Sequence, residues 1–293
     1  MSASAFALVV LAGLIHASWN IAAKKAGGDS RFAAFSGFVN ILFWAPLGLW
    51  LGIRQLPGWG WTEWLLVAAS AVLHTCYFVV LLRGYRKADL TVVYPLARGS
   101  APLLSSLTAI LLLGEKLSAA GAAGIAAVVG GVFLIAGGPG LLRASHDPAR
   151  RQRVRKGIAY GLLSGAFIAG YTVVDGYAVK FILMSPILVD YIGSLARLSL
   201  LAPAVLRDRT TARIMWKAQW QYAMFVGIIS PVSYVLVLYA MQTAPLSHVA
   251  PAREVSMLFA ALIGGQLLGE GDRLLRLLGA GCIAAGVLAL ALG

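Results

Sequence analysis

The chain alternates long apolar runs with short polar connections from its first residues to its last. The runs are about 20 residues long, which is the length an α-helix needs to cross the hydrocarbon core of a bilayer. We therefore predict an all-α membrane protein. Its ten transmembrane helices are predicted at residues 4–23, 32–53, 64–82, 90–113, 118–137, 157–179, 185–206, 219–240, 246–268 and 274–292.

The sequence also contains an internal repeat. Residues 94–102 read Tyr-Pro-Leu-Ala-Arg-Gly-Ser-Ala-Pro, and residues 250–256 read Ala-Pro-Ala-Arg-Glu-Val-Ser. Each segment opens an apolar run that ends in Leu-Gly-Glu, and in each copy an arginine, Arg98 or Arg253, stands 17 positions before that glutamate. The repeat places two arginines at equivalent points of two apolar helices.

A helix rich in small residues follows each Leu-Gly-Glu. Small side chains allow close contact between membrane helices, so we interpret both helices as scaffold. The small residues expected at their contacts are Gly121, Gly124, Ala127 and Gly131 in the first copy and Gly281, Ala285 and Ala289 in the second.

The repeat divides the chain into two halves. Residues 1–137 form a first five-helix repeat, residues 138–156 a basic cytoplasmic linker, and residues 157–293 a second five-helix repeat. Because five is odd, the second half enters the membrane in the opposite orientation. Inverted repeats of this kind are typical of transporters whose site lies between the halves near the midplane.

Composition and charge support a membrane protein. The chain is 60% apolar and 12% charged, and its mean hydropathy is +0.83. A soluble domain averages about 25% charged residues. Of the 24 lysines and arginines, 18 fall in the odd-numbered connections, so these are predicted to be cytoplasmic and both termini to lie outside. The net charge of +13 then reflects topology, and no nucleic-acid partner is expected.

Arg98 and Arg253 are the first candidates for substrate binding. A charged residue within a membrane span is costly and usually functional, and guanidinium offers a planar fork of donors to a carboxylate, phosphonate or sulfonate. The alternative is that each arginine is neutralised inside the protein, Arg253 through Glu254, and only fixes helix positions. Glu254 is itself a candidate proton-linked group.

Further polar and aromatic residues within the spans are candidates to line a cavity. The alternative for these residues is hydrogen bonding between helices or an aromatic belt. The remaining predicted substrate-binding residues are His16, Trp19, Asn20, His74, Tyr77, Tyr94 and Tyr171.

Coupling or gating is predicted for a second group of charged residues. Besides Glu254, this group comprises Asp175, Asp190 and Arg197. The alternative is a structural network joining the sixth and seventh helices.

The sequence lacks the signatures of an enzyme. No metal-ligand spacing and no nucleophile elbow is present, so neither a metal, nor a cofactor, nor a catalytic residue is expected.

Several motifs resemble the EamA-type family of the drug/metabolite transporter superfamily. They are the two Leu-Gly-Glu segments with their small-residue helices, His-Ala-Ser-Trp-Asn at residues 16–20 and Tyr-Thr-Val-Val-Asp-Gly at residues 171–176. The last two resemble a bacterial subgroup. The resemblance covers essentially the whole chain and implies ten helices, alternating access and transport of small metabolites.

We therefore predict a multi-pass secondary transporter of the bacterial inner (plasma) membrane. The expected cargo is an anionic or zwitterionic metabolite, such as an amino acid or a phosphonate-like compound, and the expected direction is export. Protons are a candidate coupling ion, and a monomer is expected to suffice. The alternatives are a transporter of a cationic amphiphile held by Glu254 or Asp175, a membrane sensor, and a lipid-modifying enzyme.

Overall fold

The computed structural model describes residues 1–27, 29–88, 90–135, 148–264 and 273–292, and all regular structure in these ranges is helical. Residues 138–147 of the predicted linker and the second Leu-Gly-Glu lie outside them. The helices within these ranges are α1 (Ala3–Ala26), α2 (Ser30–Gln55), a 3-10 turn (Leu56–Gly58), α3 (Trp61–Lys87), α4 (Leu90–Leu113), α5 (Ala119–Ile135), α6 (Pro148–Lys180), α7 (Pro186–Leu206), α8 (Arg209–Thr243), α9 (Leu246–Ala252), α10 (Val255–Gly264) and α11 (Arg273–Leu292).

The prediction of a single ninth helix over residues 246–268 is wrong. The helix is interrupted between α9 and α10, and Arg253 and Glu254 form the interruption. Pro251 has no N–H to donate within the helix. The backbone turns more tightly there: Glu254 N–H donates to the Pro251 carbonyl at 3.0 Å, and Met257 N–H to the Glu254 carbonyl at 2.8 Å.

Two helices begin well before their predicted first residues. The sequence pattern starts them at residues 157 and 219, whereas α6 begins at Pro148 and α8 at Arg209. The added turns are rich in arginine and lysine, which favour helix but are too polar for an apolar run. Asp208 caps α8, because its Oδ1 accepts a hydrogen bond from Thr211 N–H at 3.0 Å.

The packing of the helices reflects the repeat. Helix α1 packs on α8 and α3 on α6, while α2 packs on α7 and α5 on α11. Likewise α4 packs on α6, and α1 on α10. If α1–α5 are matched in order with α6, α7, α8, α9–α10 and α11, each of these pairs corresponds either to itself or to another pair of the set. The halves therefore share one packing scheme, and the contacts between them surround a common centre.

Helices α5 and α11 approach each other closely through glycines. A Cβ atom added to Gly131 would lie 2.6 Å from the Gly279 carbonyl oxygen, and one added to Gly124 would lie 2.9 Å from that of Gly286. Gly124 meets Gly286 and Gly131 meets Gly279, so the two helices run antiparallel.

The contact face predicted for the last helix is wrong. A Cβ atom added to Gly281 would meet nothing within 4 Å, and Ala285 is exposed. The buried face instead carries Gly279, Ile283 and Gly286. A helix made almost entirely of small and apolar residues gives no periodic signal that distinguishes its two faces.

Six helices are long and apolar enough to cross a membrane, judged over the described residues. They are α1, α2, α3, α4, α6 and α8, and α5 and part of α11 are shorter apolar helices. Among the remaining elements, α9 is short because the helix is interrupted at Arg253, and α10 is described as far as Gly264.

Candidate substrate-binding site

A cavity of about 400 Å³ lies between the two halves. Its walls come from α1, α2, α3, α4, α6, α7 and α8 and from the interruption before α10. It extends towards Asp29 and Phe32, where the chain passes from α1 to α2, and reaches Leu201 near the end of α7. The cavity therefore leads from the core towards one end of the helix bundle.

All nine residues predicted to bind substrate line this cavity. The structure brings together side chains from α1, α3, α4, α6 and the interrupted helix, which are distant in sequence. They are His16, Trp19, Asn20, His74, Tyr77, Tyr94, Arg98, Tyr171 and Arg253.

Arg98 is neutralised by a residue of the other half. Its Nη2 lies 3.0 Å from Glu254 Oε2 and donates a hydrogen bond to Ser256 Oγ, also at 3.0 Å. The contact with Glu254 is an ion pair whose angles do not fit a hydrogen bond. Glu254 is only 1% exposed, so this pair joins α4 to the interrupted helix in a desolvated place.

Arg253 has no such partner in the part of the chain that the structure describes. Its side chain lines the cavity although the residue is only 6% exposed, and no described residue forms a hydrogen bond with its Nε. Within the described residues it makes no ion pair, because Glu254 contacts Arg98 instead. The sequence left open whether Glu254 neutralises Arg253, and the structure shows that Glu254 contacts Arg98 instead.

Asp190 and Arg197 form a second pair in the wall. Arg197 Nη2 donates to Asp190 Oδ1 at 3.1 Å and to Ser194 Oγ at 2.5 Å. Asn40 Nδ2 donates to the same serine at 2.9 Å and to Asp190 Oδ2 at 3.3 Å. The network therefore joins α7 to α2, one helix of each half.

Asp175 does not belong to that network. The carboxyl group is 1% exposed and lies outside the cavity lining, and the hydroxyl of Tyr234 on α8 donates to its Oδ2. Its Oδ1 has no hydrogen-bond partner. The interpretation of Asp175 as a link between the sixth and seventh helices is therefore wrong, since its hydrogen-bond partner lies on the eighth.

Aromatic rings form much of the polar wall. The rings of His74 and Tyr171 are stacked with centroids 3.7 Å apart, and Tyr234 meets His74 edge-on at 5.7 Å. In α1, His16 and Trp19 meet edge-on at 4.7 Å. Each ring is supported by another ring, which leaves a stiff and amphipathic surface towards the cavity.

The first Leu-Gly-Glu segment closes the opposite end of the bundle. The carboxylate of Glu115 accepts hydrogen bonds from the N–H groups of Leu246 and Ser247, at 2.7 and 2.8 Å, and from Lys180 Nζ at 3.0 Å. Lys180 Nζ also donates to the Ala244 carbonyl at 3.0 Å. Glu115 of the first half thus caps the N-terminus of α9 in the second half, where a negative charge is favourable.

The conformation of Gly114 and the hydrogen bonds of Glu115 explain the Gly-Glu part of this motif. Gly114 has a φ of +68°, a left-handed conformation that turns the chain after α4 and presents Glu115 to α9. Burial alone would raise the pKa of the Glu115 carboxyl. The hydrogen bonds from Ser247, Leu246 and Lys180 outweigh this effect and hold the pKa below its ordinary value.

Several residues of these networks are not singled out by the sequence pattern. The pattern does not identify Asn40, Ser194, Ser256 or Lys180, and it marks Glu115 only as the end of the first Leu-Gly-Glu segment. The signal for Asn40 was available, because an asparagine within an apolar run needs a polar partner. Serine gives a weaker signal, since its hydroxyl can bond to its own helix. Across the described ranges, no three His, Cys, Asp or Glu side chains converge as metal ligands would.

Comparison with known proteins identifies the family. The model of the EamA-like transporter family matches residues 3–137 and again residues 155–292. A solved structure titled "Crystal structure of protein" aligns over 100% of this chain and 98% of its own, with a TM-score of 0.74 and 16% identity. At that identity the likeness shows the fold alone. No curated protein matches.

The two family matches cover nearly the whole chain, so the protein belongs to the EamA-like transporter family of the drug/metabolite transporter superfamily. The members of this family are multi-pass membrane transporters and not enzymes.

Proposed function

We propose that this EamA-like transporter exports a small anionic or zwitterionic metabolite, with an amino acid or a phosphonate-like compound as the leading cargo. Arg253 carries the proposal. It is a guanidinium that lines the cavity between the halves and has no counter-ion among the described residues. A carboxylate or phosphonate bound there would supply the missing charge.

The energetics of Arg253 favour an anion over a purely structural role. Burying a cation without a partner is costly, and an arginine cannot lose its proton to avoid that cost. A cargo anion would form charge-assisted hydrogen bonds, which are stronger than neutral ones. The cavity of about 400 Å³ lies within the range of small-molecule sites.

The arrangement of the acidic residues disfavours a cationic amphiphile as cargo. Glu254 contacts Arg98, Asp190 contacts Arg197, and Asp29 contacts Arg31 at the mouth of the cavity. Asp175 lies behind the wall. A cation entering the cavity would therefore have to displace an arginine from its carboxylate.

Alternating access would use the two halves as moving bodies, residues 1–137 and 157–293. The antiparallel α5 and α11 support an inverted arrangement of the repeats. The open end of the cavity is lined by Asp29, which contacts Arg31, in a connection that the positive-inside rule assigns to the cytoplasm. A cavity open to the cytoplasm and closed at the Glu115 end could load cargo for export.

Ligand-induced thermal stabilisation of the purified protein tests this proposal. The panel would contain L-alanine, L-glutamate, 2-aminoethylphosphonate, succinate and choline. We expect an anionic or zwitterionic member to raise the melting temperature, since a ligand of the folded form stabilises it by mass action. In Arg253→Gln the affinity should fall by about 100-fold, because two charge-assisted hydrogen bonds are lost.

The matched control is Arg54→Gln, which removes a positive charge stacked on Trp50 outside the cavity. This variant should bind as the wild type does. Stabilisation by choline alone, or unchanged binding of the anionic ligand to Arg253→Gln, would refute the proposed cargo class.

A further inference from the structure

The three buried carboxyl groups Asp175, Asp190 and Glu254 differ in their surroundings. Asp190 is 3.1 Å from Arg197, and Glu254 is 3.0 Å from Arg98. Asp175 has no cation within ion-pair distance among the described residues, and its described hydrogen bond is the one from Tyr234. An isolated carboxylate in a dry environment is strongly disfavoured, whereas the protonated acid is neutral.

We propose that Asp175 is a proton-binding site of this transporter and exchanges its proton with the transport cavity through the Tyr234 hydroxyl. Tyr234 fits this role because it contacts the carboxyl on one side and lines the cavity on the other. In the transfer, the Asp175 O–H bond breaks as an O–H bond forms at the Tyr234 oxygen. The original tyrosine proton passes to solvent in the cavity, so one proton moves in total.

Of the three buried carboxyl groups in the described part of the chain, Asp175 is the one without a cation partner. The Ser70 hydroxyl is a further neutral donor beside this carboxyl and also lies 3.3 Å from His74 Nδ1, and the charge of Arg197 is paired with Asp190. The titratable and charged groups that face Asp175 are His74 from α3, Tyr171 one turn earlier on α6, Asp190 and Arg197 from α7, and Tyr234 from α8.

The position of Asp175 also connects the cavity to the closed end of the bundle. The next residue, Gly176, packs against the side chain of Leu246, the first residue of α9. Leu246 N–H is the group that Glu115 caps. A charge on Asp175 would therefore lie next to the α6–α9 contact, so the neutral acid favours the conformation that is closed at this end.

Infrared difference spectroscopy of the purified protein tests the site without any substrate. A pH titration should reveal the carbonyl stretch of a protonated, buried carboxyl group that disappears as the pH rises. Asp175→Asn, a neutral variant of the same shape, should lose this band. Asp190→Asn is the matched control and should keep it, because Asp190 forms an ion pair with Arg197 at 3.1 Å whereas Asp175 contacts no cation among the described residues.

Tyr234→Phe keeps the ring and removes the donor. We expect the band to persist to more alkaline pH in this variant, by about one pH unit, because the hydrogen bond that stabilises the carboxylate is gone. This variant also decides the matter if Asp175→Asn does not fold. Absence of a titrating band from the wild type, or an unchanged band in Asp175→Asn, would overturn the proposal.

The proton site itself does not depend on the proposed function; only the role of this site in transport rests on it. Its failure is distinguishable from failure of the cargo proposal, because the infrared titration uses protons alone and the cargo test uses the ligand panel with Arg253→Gln. Stabilisation by a zwitterion without a titrating band would leave the cargo class standing and remove the proton site.

Discussion

Arg98 and Arg253 occupy equivalent positions of the repeat, 155 residues apart, yet their surroundings are opposite. Arg98 lies in the continuous helix α4 and is neutralised by Glu254. Arg253 lies at the interruption between α9 and α10 and has no counter-ion among the described residues. Arg98 therefore connects the two halves through an ion pair, whereas Arg253 lines the cavity without one.

The difference arises from two residues close to the arginines in sequence. The repeat aligns Glu254 with Gly99, so only the second copy carries a carboxylate beside its arginine. That carboxylate reaches across to the first copy's arginine, and Ser256, which aligns with Ala101, adds a hydrogen bond. The duplicated arginine segment thus becomes asymmetric through two substitutions. Arg253 is left without a counter-ion among the described residues.

The largest effect on stability should come from Arg98→Gln. This variant leaves the buried Glu254 without its partner, which costs about 3–5 kcal/mol when one member of a buried pair is removed. Arg253→Gln leaves no carboxylate unpaired and should retain the stability of the wild type. Thermal unfolding in detergent would measure both variants.

The double variant Arg98→Gln with Glu254→Gln is the control for this comparison. Because the two residues interact directly, their effects should not add, and the double variant should be more stable than Arg98→Gln alone. Equal loss of stability in Arg98→Gln and Arg253→Gln would remove the contrast between the two copies.

A smaller loss, about 2–3 kcal/mol, is expected for Glu115→Gln. This substitution removes the charge that caps α9 and binds Lys180, so the second copy loses its support from the first half. Because the pKa of Glu115 is lowered in the folded protein, its stabilisation is present above the unfolded pKa and lost as the pH falls through the folded one.

Melting temperatures of wild type and variant should therefore converge as the pH falls below the ordinary range of a glutamate carboxyl. Glu63→Gln provides the control, because Glu63 accepts one exposed N–H, that of Gly60, at the start of α3. A loss in Glu63→Gln as large as that in Glu115→Gln would argue against a special role of the cap between the halves.

The smallest effects, about 1–3 kcal/mol, are expected where the two copies are alike. Gly131 and Gly286 occupy equivalent positions, and each packs against the backbone of the other copy's last helix. Replacing either with valine should cause a similar loss of thermal stability through overpacking. Gly130→Val is the control, since a Cβ there meets nothing within 4 Å. Unequal losses would show that the asymmetry extends beyond the arginines.

Much of the fold, and many of the residues that line the cavity, could be predicted from the sequence. Apolar runs gave the helices because span length is a local property, and polar residues such as His74 and Asn20 were recognisable because apolar runs rarely tolerate them. The limits of the same reasoning are visible in α6 and α8. Both begin in arginine-rich turns that form helix readily but do not resemble a membrane span.

By itself, the sequence determined an all-helical chain, its repeat and the two arginines within it, because these follow from composition and spacing along the chain. Only the tertiary structure decided which arginine is neutralised, that Glu115 caps α9 and that Asp175 has no cation partner among the described residues. Electrostatic energy in a dry interior depends on distances of a few ångströms between groups. Those distances are set by the packing of the two halves, since Glu254 lies 156 residues from Arg98 in sequence but 3.0 Å from it in space.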